Sequence, residues 1–214
     1  MNNVFFRPWI GKHYGKTDNW FQTRLLILGE SHYGTNPKPS WTNEEIGAYL
    51  KKGKPESPRF WTNTMQIITG KHHTELSKAD RNSFWYSVSF YNYIQEPLEG
   101  PRIPPTSEMW RTAQIPFIKI LDELEPKHII VLGCRLWDNL PNENDIKGCV
   151  RWHQDIAGRE AWIYPHSRGK GKAISTYVYH PSYFAVGFEE FSCFCRRFAK
   201  SSTMIFSFLL RMTP

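Results

Sequence analysis

The run Leu25-Leu26-Ile27-Leu28, followed at once by Gly29, constrains the chain more than any other stretch. Consecutive apolar residues bounded by a glycine read as a strand buried on both faces. Such strands belong to parallel sheets that are covered on two sides. Directly after it come Glu30, Ser31, His32 and Tyr33, and Gly34 closes the turn. A carboxylate, a hydroxyl and an imidazole at a strand end have the layout of a site, because open parallel sheets bind ligands outside the carboxyl ends of their strands.

Three later segments repeat this layout. Val88 to Ile94 reads as a second strand with Asn92 near its end, and a buried Asn there must be hydrogen-bonded. Pro126 to Gly133 reads as a third strand ending in glycine. Ile174 to Tyr179 reads as the last strand and runs straight into His180-Pro-Ser-Tyr-Phe184. Between them, amphipathic spacing and caps predict helices at 42–50 (capped by Thr42 or Asn43), 60–68, 77–86 (capped by Ser77), 108–124 (capped by Thr106 or Ser107), 136–140 and 188–200. Four prolines make 95–105 an extended loop. The stretch 142–160 is polar and irregular, and 1–23 is an aromatic, turn-rich lead-in. Strands alternating with helices imply an α/β fold with right-handed crossovers, hence three layers, α/β/α, around a central, mainly parallel four-stranded sheet. The 214 residues suit one domain over 1–214, without internal repeat or linker.

Composition narrows the partners. A net charge of +7 favours a polyanion, though charge alone does not establish nucleic-acid binding. Cys134, Cys149, Cys193 and Cys195 form no CxxC pair and read as reduced thiols of a cytoplasmic protein. The N-terminus lacks the apolar core of a signal peptide, and no apolar run reaches the ~20 residues that span a bilayer. The adjacent His72 and His73 point in different directions on any regular element and have no identifiable partners for a metal.

The four strand ends together resemble the uracil-DNA glycosylase superfamily, and in motif order its thermostable iron–sulfur branch. That branch places a Gly-Glu loop, a strand ending in Asn, a Pro-Arg-Pro-like loop and helix, a strand ending in Leu-Gly and a Tyr-His-Pro-Ser loop in succession. This chain has Leu26-Ile-Leu-Gly-Glu30, Tyr91-Asn92, Pro101-Arg-Ile-Pro104, Pro126-Lys-His-Ile-Ile-Val-Leu-Gly133 and Tyr179-His-Pro-Ser182 in that order, over roughly residues 24–185. It departs in three places. No cysteine precedes Cys134, so no iron–sulfur cluster, other cofactor or metal is expected. Ser31-His32-Tyr33-Gly34 replaces the branch's usual loop ending, and a long 36–80 segment is expected to hold an insertion.

The resemblance implies a monofunctional DNA glycosylase that flips out a pyrimidine, cleaves its N-glycosidic bond and leaves an abasic site. Glu30 then orients water and stabilises the sugar cation, and His180 donates a hydrogen bond to the departing base. In bland terms, Glu30 is a strand-end carboxylate on backbone N–H groups and His180 a hydrogen-bonded turn residue. Asn92 pairs with the base edge, its amide suiting uracil or, reversed, cytosine. Ser31, His32 and Tyr33 bound the base, with core packing as the alternative for the two rings. Ser182, Tyr183 and Phe184 supply the wedge loop. Arg102, Arg168, Lys170 and Lys172 are the phosphate contacts, each equally readable as a solvated charge. The partner is DNA, single- or double-stranded, bound by a monomer. A Tyr33 that crowds C5 favours uracil and DNA repair. A pocket opened by 36–80 favours a C5-modified cytosine of viral DNA and a defence role. A non-catalytic nucleic-acid-binding module on the same fold, or a hydrolase of free nucleosides or nucleotides, are the alternatives.

Overall fold

The computed structural model describes residues 3–52, 59–152, 160–167 and 171–183. Arg168, Lys170, Phe184, Cys193, Cys195 and the helix expected over 188–200 lie outside the described residues.

The chain is a mixed α/β protein on a mostly parallel sheet. In chain order the strands are β1 (Trp9–Ile10), β2 (Leu25–Gly29), β3 (Val88–Asn92), β4 (His128–Leu132), β5 (Val150–Trp152), β6 (Ala161–Pro165) and β7 (Lys172–Val178). They form one seven-stranded sheet in the order β1-β3-β2-β4-β7-β6-β5. The sheet therefore has seven strands rather than the four expected. The expected four are its contiguous parallel centre, β3-β2-β4-β7. The additions are antiparallel edges, with β1 on β3 and the β5–β6 pair on β7. Their segments are two, three and five residues long, and two of them lie in stretches rich in turn or polar residues. The short outermost strands β1 and β5 form because a neighbouring backbone offers unpaired N–H and C=O groups, whereas β6 is apolar and buried in its own right.

The central strands are buried throughout, which is why they read as continuous apolar runs. Alternate side chains divide between two cores. Leu25, Ile27, Val88, Phe90, Ile130, Leu132 and Ile174 enter one, and Leu26, Leu28, Tyr91, Ile129 and Val131 enter the other. The first core is completed by α1 (Trp41–Lys51), α2 (Arg59–Thr69) and α3 (Lys78–Ser87) through Ile46, Tyr49, Trp61, Met65, Ile68, Phe84 and Trp85. The segment 36–80, expected to hold an insertion, supplies Ile46, Tyr49, Trp61, Met65 and Ile68 to this core. The second core takes Phe117, Ile120, Leu121 and Leu124 from α5 (Gln114–Leu124) and Leu136 and Trp137 from α6 (Cys134–Asp138).

Local signals explain most boundaries. Ser77 starts α3 with a capping box to Asp80, as expected. The helix expected over 108–124 is two helices, α4 (Ser107–Thr112), capped by Thr106, and α5, meeting at Ala113. Pro116 has no N–H for the carbonyl of Thr112 and its ring crowds that group, so the ladder breaks there. Helix α1 begins at Trp41 after Ser40, not at Thr42 or Asn43. Those two side chains are drawn into tertiary bonds instead, Thr42 to His32 and Asn43 to the carbonyls of Arg7 and Pro8.

Candidate functional site

Register brings the predicted strand ends to one edge. Gly29 lies opposite Asn92, Leu28 opposite Val131, and Leu132 opposite Val178. Beyond β2 and β3 the two loops stay zipped. Tyr93 N–H donates to the Gly29 carbonyl at 2.9 Å, Ile94 N–H to that of Glu30 at 2.9 Å, and Leu98 N–H to that of His32 at 2.8 Å. Glu30 is thereby held on a fixed backbone, as a site that must orient a group requires.

Asn92 is 5% exposed and lies directly over Gly29. A Cβ at position 29 would fall 2.3 Å from Asn92 Oδ1 and 2.7 Å from Phe90 Cζ, so only glycine fits. Among the described residues the Asn92 amide has no hydrogen-bond partner. An amide at the sheet edge without a bond inside the described fold keeps its donor and its acceptor for a ligand.

His180 follows β7 and packs on Gly133, whose φ of +109° places its bare Cα against the imidazole. Phe60 from α2 lies beside the ring, with centroids 5.6 Å apart. Asn63 on the same helix donates from Nδ2 to the Pro181 carbonyl at 2.9 Å, and the buried Gln66 donates in turn to Asn63 Oδ1 at 3.2 Å. Helix α2 therefore positions the whole His180 turn. His180 Nδ1 accepts the Ser182 N–H at 3.2 Å. Nδ1 is then the lone-pair nitrogen, and the neutral ring carries its proton on Nε2. Burial lowers the His180 pKa below the ordinary imidazole value, with Glu30 pulling it up and Arg135 pushing it down. The imidazole is thus neutral at pH 7 and an Nε2–H donor.

Glu30 meets a residue that the sequence reading passed over. Arg135, on the first turn of α6, donates from Nε to Oε2 at 2.8 Å and from Nη2 to Oε1 at 2.5 Å. The carboxylate is 10% exposed and the guanidinium side chain 44% exposed, so the cation lies on the solvent side. This fork-to-fork pairing fixes the carboxylate plane. Each oxygen retains a second lone pair.

The three residues after Glu30 separate. His32 is 3% exposed, its Nε2 2.9 Å from the Thr42 hydroxyl and its ring packed on Phe6 and Trp41, which commits it to the α1 interface. Tyr33 is 45% exposed and its backbone bridges to Leu98. The Ser31 hydroxyl is buried and unpartnered among the described residues. Arg102 is exposed in the proline-rich loop, at φ +78°. Ser182 is exposed, within a 3-10 turn over Pro181–Tyr183. Lys172 is not brought to the site. It opens β7, opposite Pro165, whereas His180 follows the other end of that strand. Seven residues of strand put the two about 20 Å apart.

Of the residues singled out in the sequence, Glu30, Asn92, Gly133 and His180 lie at this one edge; Arg135, Phe60 and Asn63, which adjoin them, were not singled out. The signal for Arg135 was its place two residues beyond the strand-ending Gly133. A cavity of about 320 Å³ between α6 and the β5–β6 hairpin, walled by Trp137, Glu143 and Arg151 among others, contains none of these residues. The candidate site is the open sheet edge. Among the described residues no group of three His, Cys, Asp or Glu side chains is arranged to hold a metal ion, and no helix is long and apolar enough to cross a membrane. No family model and no curated protein matches the chain.

Proposed function

We propose that the protein is a monofunctional DNA glycosylase acting on a flipped pyrimidine, built on a three-layer α/β/α fold of the uracil-DNA glycosylase type. The two cores on opposite sides of the sheet support the layering. One observation carries the functional reading. A carboxylate, an amide with no hydrogen bond among the described residues and a neutral Nε2–H imidazole are held at the carboxyl edge of a parallel sheet.

The chemistry follows from charge. As the bond between the sugar C1′ and the base nitrogen breaks, its electron pair leaves with the base and the sugar becomes cationic. Preorganised groups act best where such charge develops. His180 Nε2–H donates to the base carbonyl that gains electron density. Asn92 pairs with the base edge from below. Glu30 faces the sugar cation, and its free lone pairs hold the water that adds to C1′. Phe60, whose ring centroid lies 5.6 Å from that of His180, is the aromatic surface beside the base-side donor, and the exposed Tyr33 follows Glu30 on the same loop. Uracil and a C5-modified cytosine both fit this scheme, the first in repair and the second in defence against viral DNA.

The Arg135 pairing favours a second reading, a nucleic-acid-binding module that does not turn over, because both Glu30 oxygens already accept from a cation. Oligonucleotides carrying uracil, mismatched thymine or C5-modified cytosines, single- and double-stranded, separate the two when treated with alkali after incubation. Strand scission at the marked base supports the glycosylase. Salt-sensitive binding without scission supports the module. Release of base from free nucleosides, without polymer, contradicts both.

A further inference from the structure

We infer that Arg135 is a positioning residue which holds Glu30 and offsets its charge, so that His180 works as a neutral donor beside a carboxylate. The pairing of Arg135 with Glu30 and the packing of His180 on Gly133 stand on geometry, and the catalytic consequence rests on the glycosylase reading above.

The same turn that delivers Arg135 also shapes the His180 pocket. Gly133 N–H donates to the Val178 carbonyl at 2.8 Å, which ties the start of α6 to the end of β7 two residues before His180. The Cα of Gly133 faces the imidazole, and Arg135 follows two residues later and reaches back to Glu30. One short turn therefore contacts the acid-side and the base-side groups of the site. Its cation is on the solvent side of a nearly buried carboxylate, where it neutralises Glu30 without being enclosed itself.

Among the described residues, two charged groups face His180. The β2 loop brings Glu30 and α6 brings Arg135. Helix α2 brings Phe60 and Asn63, neither of which titrates, and the histidine's own turn brings the Ser182 N–H. A carboxylate near an imidazole favours the imidazolium. Were Glu30 uncompensated, His180 would take up a proton and turn its charge and its Nε2–H toward the carboxylate. The site would then lose both a neutral donor and a free anion. With Arg135 in place, Glu30 keeps its anionic face for a developing cation and His180 keeps its donor for a developing anion.

The test is a titration of the His180 imidazole by NMR in the intact protein, without any ligand. In Arg135→Gln the midpoint is expected to rise by about half a pH unit or more. In the Glu30→Gln/Arg135→Gln double variant it returns to or below the wild-type value. Arg135→Lys, which keeps the charge but loses the fork, stays close to wild type. Glu30→Gln alone lowers the midpoint, which keeps the inference testable if Arg135→Gln does not fold. A midpoint that Arg135→Gln leaves in place, or that Glu30→Gln fails to lower, overturns the inference. For base release, the acid limb of the pH–rate profile moves to higher pH in Arg135→Gln. An unchanged limb in an active enzyme overturns the catalytic consequence. The expected midpoints in a protein that releases no base would uphold the role of Arg135 and sink the glycosylase reading.

Discussion

Gly29→Ala tests the packing on which the site is built. The added methyl would lie 2.3 Å from Asn92 Oδ1 and 2.7 Å from Phe90 Cζ, well inside van der Waals contact. Neither neighbour can step aside cheaply. Asn92 is 5% exposed, and the fully buried Phe90 ring is wedged against Trp61 at 4.9 Å and Phe60 at 6.1 Å. Overpacking of this kind costs about 1–3 kcal/mol, and the enclosure of both neighbours puts the expected loss at ~2–3 kcal/mol. In a domain of this size that lowers the melting temperature by about 4–12 °C. Urea unfolding of Gly29→Ala, Asn92→Ala and the double variant measures it. The two substitutions should couple, because removing the amide relieves the shorter contact, and residues in contact show coupling of about 0.5 kcal/mol or more. Gly47→Ala is the control. Its Cβ would meet nothing within 4 Å in the middle of α1, so it should stabilise by about 0.5–1 kcal/mol. A Gly29→Ala protein as stable as wild type, or a strictly additive double variant, would refute the stacking of Asn92 on Gly29.

Acid should weaken the fold. Burial, with a smaller push from Lys127, lowers the His128 pKa to about 4, against about 6.5 in an unfolded chain. The unfolded state therefore binds more protons between these values. Stability is full above pH ~6.5 and falls toward pH 4 by about 3 kcal/mol. Buried His166 and His180 act in the same direction. Denaturation midpoints across pH 4.5–7.5 check this, with a shallower slope expected for His128→Gln and a flat profile counting against the argument. Asn92→Ala alone should change stability by less than about 1 kcal/mol, since no hydrogen bond among the described residues is lost, while abolishing discrimination between pyrimidines. A large destabilisation would mean that the amide has a structural role. His180→Ala should slow base release by about 10²–10³, the usual cost of removing one preorganised donor, with a smaller effect on DNA affinity. An equal loss in both would point to a folding defect.

Strand ends were legible where a central strand is apolar and buried on both faces, as β2 and β4 are. Burial forces a continuous apolar run, and the run makes the residue that ends it conspicuous. Glu30 and Gly133 stand out this way, whereas β3 carries Ser89 and β7 carries Ser175 and Thr176 inside the strand, so Asn92 and His180 were singled out by strand context and loop motif instead. The edge strands were not legible, since Trp9–Ile10 and Val150–Trp152 are strands by virtue of their partners' backbones. The part that 36–80 plays in the core was hidden for a related reason. Its helices carry Ile46, Trp61 and Met65 onto the sheet, and that face cannot be recognised from spacing along one element. Arg135 was passed over because an arginine early in a short helix has the same local pattern whether it is solvated or bonded to a residue 105 positions away. Phe60 and Asn63 were hidden likewise, as their partners lie at 180 and 181. Local pattern reports burial well and long-range pairing poorly.

The most direct measurement is the simultaneous quantitation, by mass spectrometry, of free base and abasic sites from the marked oligonucleotides under single-turnover conditions. The account predicts equal amounts of the two for at least one pyrimidine, no strand cleavage before alkali, and loss of both products in Glu30→Gln and His180→Ala proteins that still fold. Neither product from any marked strand, or undiminished release by both variants, would contradict it.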